Sequence, residues 1–136
     1  MALHDDDLYR YARQLILRDM TDAHQEQLQS SQVLLVGAGG LGAPALAYMV
    51  AAGIGQITIV DGDTVDLTNL NRQICFTADD IGAPKASTAA AWASRLNPSV
   101  SVTAIDAWLD IGNADAIIGK GIIVADATDQ AVTRSL

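Results

Sequence analysis

A single cysteine, Cys75, is all the thiol this 136-residue sequence carries, so it can form no internal disulfide and no four-cysteine zinc site. Basic residues are scarce too, with 8 Lys and Arg against 16 Asp and Glu. A polyanion-binding domain needs the opposite balance or a strongly basic patch, so nucleic acid is not an expected partner. No apolar run reaches the length of a membrane span. Asp5, Asp6 and Asp7 stand where a signal peptide would carry a basic and then an apolar stretch. No membrane association and a cytoplasmic location are the corresponding expectations. Cys75 has no histidine near it in sequence and reads as a small apolar residue near a sheet edge rather than a nucleophile. His4 and His24 lie in polar surroundings and receive no role.

What is present is the composition of an ordinary globular protein, with 50% hydrophobic and 18% charged residues. A chain of this length buries roughly two-thirds of its unfolded surface, so one compact domain is expected. Leu8, Tyr11, Leu15 and Ile16 fall at helical spacing and predict a helix over Asp7–Leu17, with a second from Thr21 or Asp22 to Leu28. Residues 1–30 therefore read as a helical N-terminal segment and residues 31–136 as a Rossmann-like α/β unit. Val33-Leu34-Leu35-Val36 is a short continuous apolar run stopped by Gly37, as a parallel strand buried on both faces requires. A small-residue helix over Leu41–Ala52 and a strand over Gln56–Val60 complete one βαβ unit. A helix over Lys85–Leu96, a strand over Val100–Ala104, a short helix over Asn113–Ile118 and another buried strand over Ile122–Ala125 follow, and the last residues read as the start of a helix. The alternation predicts a doubly wound, mostly parallel sheet, in which ligands sit beyond the carboxyl ends of the strands. Gly37, Asp61 and Asp126 fall at such ends. The polar stretch from Asp61 to Ile81 is too long for a mere connector and reads as functional.

Gly37-Ala38-Gly39-Gly40-Leu41-Gly42 sits between a predicted strand and a predicted helix. Glycines there let the backbone turn tightly and approach a phosphate, and the helix start offers unpaired N–H groups to the anion. Asp61, at the end of the next strand, is placed to accept hydrogen bonds from ribose hydroxyls. These features predict a nucleotide site, and they suit a dinucleotide as well as ATP. A hydride-transfer enzyme using NAD therefore stays open at this point. ATP chemistry asks in addition for cations near the leaving pyrophosphate and carboxylates for magnesium. Arg13, Arg72 and Lys85 are candidate cations, and Asp126 and Asp129 candidate carboxylates.

Each of these has a plainer reading. Arg13 suits a solvated helix face, and Asn69 and Asn71 suit a polar turn. Arg72 could pair with Asp63 or Asp66 in a surface ion pair worth at most ~1 kcal/mol. Lys85 in a first helical turn opposes the helix dipole, which hints at an external anion. Asp129 could be a helix cap.

Taken together, Tyr11-Ala12-Arg13-Gln14, Gly39-Gly40-Leu41-Gly42, Asp61-Gly62-Asp63, Asn69-Leu70-Asn71-Arg72-Gln73, Pro84-Lys85 and Asp126-Ala127-Thr128-Asp129 resemble the ThiF, MoeB and HesA family of ubiquitin-activating-type enzymes, in order and spacing. The resemblance covers nearly the whole chain and is nearest to the adenylyltransferases of molybdopterin synthase and of ThiS. It implies an enzyme that adenylates the C-terminal glycine of a ubiquitin-like sulfur-carrier protein ending in Gly-Gly, using ATP and Mg2+ and releasing pyrophosphate. Gly37, Gly39, Gly40 and Gly42 would line the nucleotide, Asp61 and Asp63 would stand at the ribose, and Asn69, Arg72 and Lys85 would engage the phosphates. Thr68, Leu70, Asn71, Gln73 and Gln130 would complete the binding set, and Asp129 would hold the magnesium. Arg13 would reach into the site of a second subunit, which implies a homodimer. Thr68 replaces a common serine and keeps its hydroxyl; Gln130 replaces a common asparagine and keeps its amide.

The resemblance also implies that the chain is truncated. Relatives continue for about another domain, carrying a crossover loop, an antiparallel part of the sheet, the groove for the carrier tail and often two Cys-x-x-Cys pairs for a structural zinc, whose ligands are not in this sequence. A partner chain would then supply that half, or the protein would bind nucleotide, or serve in dimerisation, without turnover. An open sheet edge would favour aggregation.

Overall fold

The computed structural model describes residues 2–136. Four strands, β1 (Gln32–Val36), β2 (Gln56–Val60), β3 (Ser101–Ile105) and β4 (Ile123–Asp126), form one parallel sheet in the order β3-β2-β1-β4. The helices preceding the sheet are α1 (Asp5–Arg10), α2 (Ala12–Leu15) and α3 (Asp22–Ser30). Those between and after its strands are α4 (Gly42–Ala52), α5 (Lys85–Leu96), α6 (Ala114–Ile117) and α7 (Ala131–Arg134). The chain runs outward from β1 through β2 to β3, then crosses to the other side of β1 for β4. The order of winding therefore reverses between β1 and β4, and an open α/β sheet parts its loops at that point to leave a crevice.

Strand side chains alternate between the two faces. Leu35, Ile57 and Ile59 point into the larger core, against Leu46 and Val50 of α4 and Ala86, Ala89, Ala90 and Ala93 of α5. Leu34, Val36 and Val60 point into a smaller core on the opposite face, with Leu109 and Ala114. Both cores are needed because a parallel strand has no solvated face, and the continuous apolar runs of β1 and β2 follow from that. The buried alanines of α5 recur at the three- and four-residue spacing of one helix face. Because they are small, they seat the helix close on the sheet.

Three expectations change. The helix expected over Asp7–Leu17 is broken at Tyr11, which leaves helical geometry with φ −99° and ψ 10°. Tyr11 is buried because its hydroxyl accepts a hydrogen bond from Asn97 Nδ2 at 3.0 Å. That tertiary contact overrides the helical spacing, and Leu8 and Ile16, which share that spacing, are exposed. β4 forms, yet it is not buried: Ile123 and Val124 are exposed, since β4 pairs with β1 on one side only. Cys75, expected near a sheet edge, lies in the larger core with Val65 and Phe76.

The long segment after β2 is folded back and fastened. Val65 N–H donates to Ala83 O and Gly82 N–H to Val65 O, both at 2.8 Å. Short 3-10 turns at Leu67–Asn69 and Ala78–Asp80 shape its outer limb, while Val65, Cys75 and Phe76 pin it to the core. At the other end of the sheet, a buried polar network ties the N-terminal segment down. Gln14 Nε2 and Gln25 Nε2 each donate to Ala52 O at 3.0 Å, capping the end of α4. Asn97 donates from Nδ2 to Val50 O at 2.9 Å and accepts from Ser99 N–H through Oδ1.

Asn97 is fully buried, so Asn97→Ala leaves the Tyr11 hydroxyl without its partner and the Val50 carbonyl with the Gly53 N–H alone. A loss of about 1–3 kcal/mol in urea unfolding is expected.

Candidate functional site

The Gly-rich turn between β1 and α4 closes more tightly than any other residue type would allow. A Cβ on Gly42 would lie 1.9 Å from the carbonyl oxygen of Gly37. The turn is fixed from outside by Asp61, buried at the end of β2. Its Oδ2 accepts from Ala38 N–H and its Oδ1 from Asp63 N–H, each at 2.8 Å. A carboxylate has about four lone-pair positions, so Asp61 holds both loops in place and keeps acceptor capacity for a ligand. On the far side of β1, Ala127 N–H donates to Val36 O and brings the loop after β4 to the same end of the sheet.

These loops enclose a cleft of about 590 Å³ at the switch point. Gly37, Gly39 and Gly40 line one part of it, and Asp61, Asp63 and Asn69 another. Arg72, Gln73, Lys85, Asp129 and Gln130 line it as well. Six residues named from the sequence lie elsewhere. Gly42 starts α4 behind the turn. Thr68 donates through its hydroxyl to Asp66 Oδ2 at 2.6 Å, and Leu70 packs on the larger core. Asn71 accepts from Arg72 through Oδ1. Arg13 is exposed on α2, outside the cleft of its own chain. Asp126, at the mouth of β4, turns its carboxylate to Thr128 N–H and, at 3.7 Å, to Arg134.

The two cations of the cleft are held differently. Arg72 has no carboxylate partner among the described residues. Its Nη1 donates to Thr68 O and Asn71 Oδ1 at 3.0 and 2.9 Å, neutral acceptors that aim the guanidinium without cancelling its charge. The guanidinium Nε would lie 3.3 Å from a Cβ on Gly40, against the glycine turn. Lys85, the first residue of α5, is buried and pairs with Asp63 Oδ2 at 3.0 Å. Asp63 is half exposed, so the pair opens onto the cleft and offers an incoming anion a cation already stripped of much of its water. Asp66, farther along the loop, is held ionised below its ordinary range by the Thr68 hydroxyl and N–H, and it caps the turn carrying Asn69.

Gln73 is buried, yet its Oε1 has no hydrogen-bond partner among the described residues. A buried polar atom without a partner is costly, and in a cleft wall it is an acceptor position that a bound molecule or water can fill. The carboxylates suit a magnesium ion of the kind bound through one or two side chains together with phosphate oxygens and water. Asp129 lines the cleft with no cationic partner, and no group of three or more metal-ligating side chains is gathered among the described residues. Among the described residues no helix is long and apolar enough to cross a membrane.

Sequence reasoning missed Trp108, Leu109, Thr128 and Thr133, all of which line the cleft. Trp108 and Leu109 follow the carboxyl end of β3, and the strand-end rule that selected Gly37 and Asp61 applies there equally.

Fold and cleft together define a Rossmann-like α/β chain whose charged residues converge on the topological switch point. The chain belongs to the ThiF family, which residues 11–136 match. It is 43% identical over its full length to the SAMP-activating enzyme E1 of Haloferax volcanii, and covers 50% of that protein. It is 41% identical over 98% of its length to the molybdopterin-synthase adenylyltransferase of Escherichia coli, and covers 53% of it. It thus spans about half the length of these relatives. The solved structure of the E. coli tRNA N6-threonylcarbamoyladenosine dehydratase in complex with ATP superposes with a TM-score of 0.91 at 29% identity, matching 99% of this chain and 55% of that one.

Burial pushes the Cys75 thiol up from its ordinary 9.0 to about 11, which makes it a poor nucleophile at neutral pH. A folded pKa above the unfolded one means that the unfolded chain ionises first. The stabilisation is complete below pH about 9 and is lost as pH rises to about 11. Unfolding titrations should show that decline in the parent chain and lack this increment in Cys75→Ala.

Proposed function

We propose that this chain carries the nucleotide site of an adenylyltransferase that activates the C-terminal glycine carboxylate of a ubiquitin-like sulfur-carrier protein. The product is an acyl-adenylate, and pyrophosphate leaves. One observation carries the reading: Arg72 lies against a glycine turn fastened by Asp61, with Lys85 in the same cleft. The names of the relatives support it, since one is a molybdopterin-synthase adenylyltransferase, and so does the ATP complex of the solved relative.

In the step proposed, a carboxylate oxygen attacks the α-phosphorus of ATP and the bond to the bridging oxygen of pyrophosphate breaks. Negative charge gathers on the phosphate oxygens, so the protein's work is positioning and charge stabilisation. Backbone N–H groups of the turn at Gly39 and Gly40 approach the phosphates, Asp61 accepts from a ribose hydroxyl, and Arg72 and Lys85 face the leaving group. Lys85 exchanges its Asp63 partner for phosphate oxygen as the triphosphate enters. Asn69, whose Oδ1 accepts from Asp66 N–H, keeps its amide hydrogens for the same oxygens.

The cleft lining includes Asp61, Asp63 and Asp129 against Arg72 and Lys85, so a polyanion meets more carboxylates than cations. Magnesium, held by Asp129, would neutralise phosphate charge there. Arg13, exposed on a segment that Gln14 anchors to the end of α4, fits the role of an arginine given to the site of a second copy in a homodimer. The proposal places the chain in the cytoplasm, a compartment that supplies ATP.

Two measurements test the reading. Pyrophosphate exchange into ATP should depend on a carrier protein ending in Gly-Gly and fall by at least ~100-fold in Arg72→Ala, as removal of one transition-state donor does elsewhere. Binding of ATP with no exchange would leave a nucleotide-binding module without turnover. For the shared site, Arg13→Ala and Asp129→Ala chains, each inactive alone, should regain part of the activity when mixed; no recovery at any ratio counts against the homodimer.

A further inference from the structure

Trp108 is the one aromatic residue of the cleft lining, and the fold makes little use of it. Leu109 beside it is buried in the smaller core, whereas Trp108 belongs to neither core and is 52% exposed. The indole rests on Gly62: a Cβ there would stand 2.6 Å from Cγ, Cδ1 and Cδ2 alike. Equal distances to three ring atoms mean that one face of the five-membered ring lies over the Gly62 α-carbon. No side chain of any size fits between them, so the absence of one at position 62 creates the seat for the ring. Half exposed, Trp108 lines the cleft with a part of the ring that Gly62 does not cover.

We infer that the exposed face of Trp108 is the platform on which the nucleobase stacks, with Gly62 as the positioning residue beneath it. The inference rests on the nucleotide reading above and adds what holds the base. The Gly40 α-carbon faces Arg72 while the Gly62 α-carbon faces Trp108, giving the cleft a cationic wall and an aromatic wall. Asp61 stands between them, one residue from Gly62 and hydrogen-bonded to the turn. A nucleotide with its phosphates at the glycine turn and its ribose at Asp61 can lay its base on Trp108, which lines the same cleft. A half-exposed indole costs solvation until a flat apolar surface covers it, and a base offers that surface whatever its hydrogen-bonding edge.

The sequence holds two tryptophans, and the other, Trp92, packs partly buried against the larger core. In a Trp92→Phe background, emission therefore reports on Trp108 alone. ATP with magnesium is expected to quench it, while inorganic tripolyphosphate binds without quenching. Trp108→Ala should weaken ATP binding by roughly 10- to 100-fold and leave tripolyphosphate affinity unchanged, and Trp108→Phe should recover most of the loss. Gly62→Ala keeps the indole but unseats it, and should reproduce the Trp108→Ala defect with tripolyphosphate binding intact. ATP binding that leaves the emission unchanged, equal ATP affinity in Trp108→Ala and its parent, or equal loss of ATP and tripolyphosphate in either variant would overturn the platform. A parent chain that binds neither ATP nor tripolyphosphate overturns the nucleotide reading, and the platform with it.

Discussion

The Asp61 carboxylate is the joint on which the cleft depends. Its two oxygens reach in opposite directions, one to Ala38 in the turn after β1 and one to Asp63 at the start of the long loop after β2. Parallel strands end side by side without sharing a turn, so nothing in the sheet itself fixes the loops beyond two adjacent ends. A buried, charged acceptor does so, because hydrogen bonds to a carboxylate are roughly twice as strong as neutral ones. Asp63 is positioned through its own N–H by this contact and in turn receives Lys85. The turn, the loop and the first residue of α5 thus form one connected unit.

Much of that unit was legible in the sequence because it is made of backbone rules. A glycine-rich turn between an apolar run and a small-residue helix marks a close approach of backbone to phosphate, and an acidic residue at the next strand end has a known geometric task. The helical spacing of the N-terminal segment misled at Tyr11, because spacing reports which residues want burial and not what they are buried against. Tyr11 is held by Asn97, a partner brought near only by the fold. β4 misled in the other direction. Its composition matches β1, but exposure depends on neighbours, and β4 has one on a single side.

The cleft residues divide along the same line. Arg72, Lys85 and Asp129 could be picked out as charges in a recognisable order, whereas the division of labour inside the loop could not. Thr68 and Asn71 spend their side chains on Asp66 and Arg72, orienting the loop rather than lining the cleft. Trp108 escaped notice because a lone tryptophan after a strand carries no motif. Only the structure shows that Gly62, a residue in a recognised motif, is what gives the ring its place.

The alanine face of α5 makes the site sensitive to residues far from it. Lys85 is the first residue of the helix, and Ala86, Ala89, Ala90 and Ala93 set its height above the sheet with no exposed surface to yield into. The helix acts as a rigid lever with the cation at its tip. A larger side chain at any of these positions lifts the lever and carries the charge away from Asp63 and the cleft. In a genetic screen for lost function, these small, chemically inert residues should therefore recur beside the charged ones, as alleles that fold and yet fail.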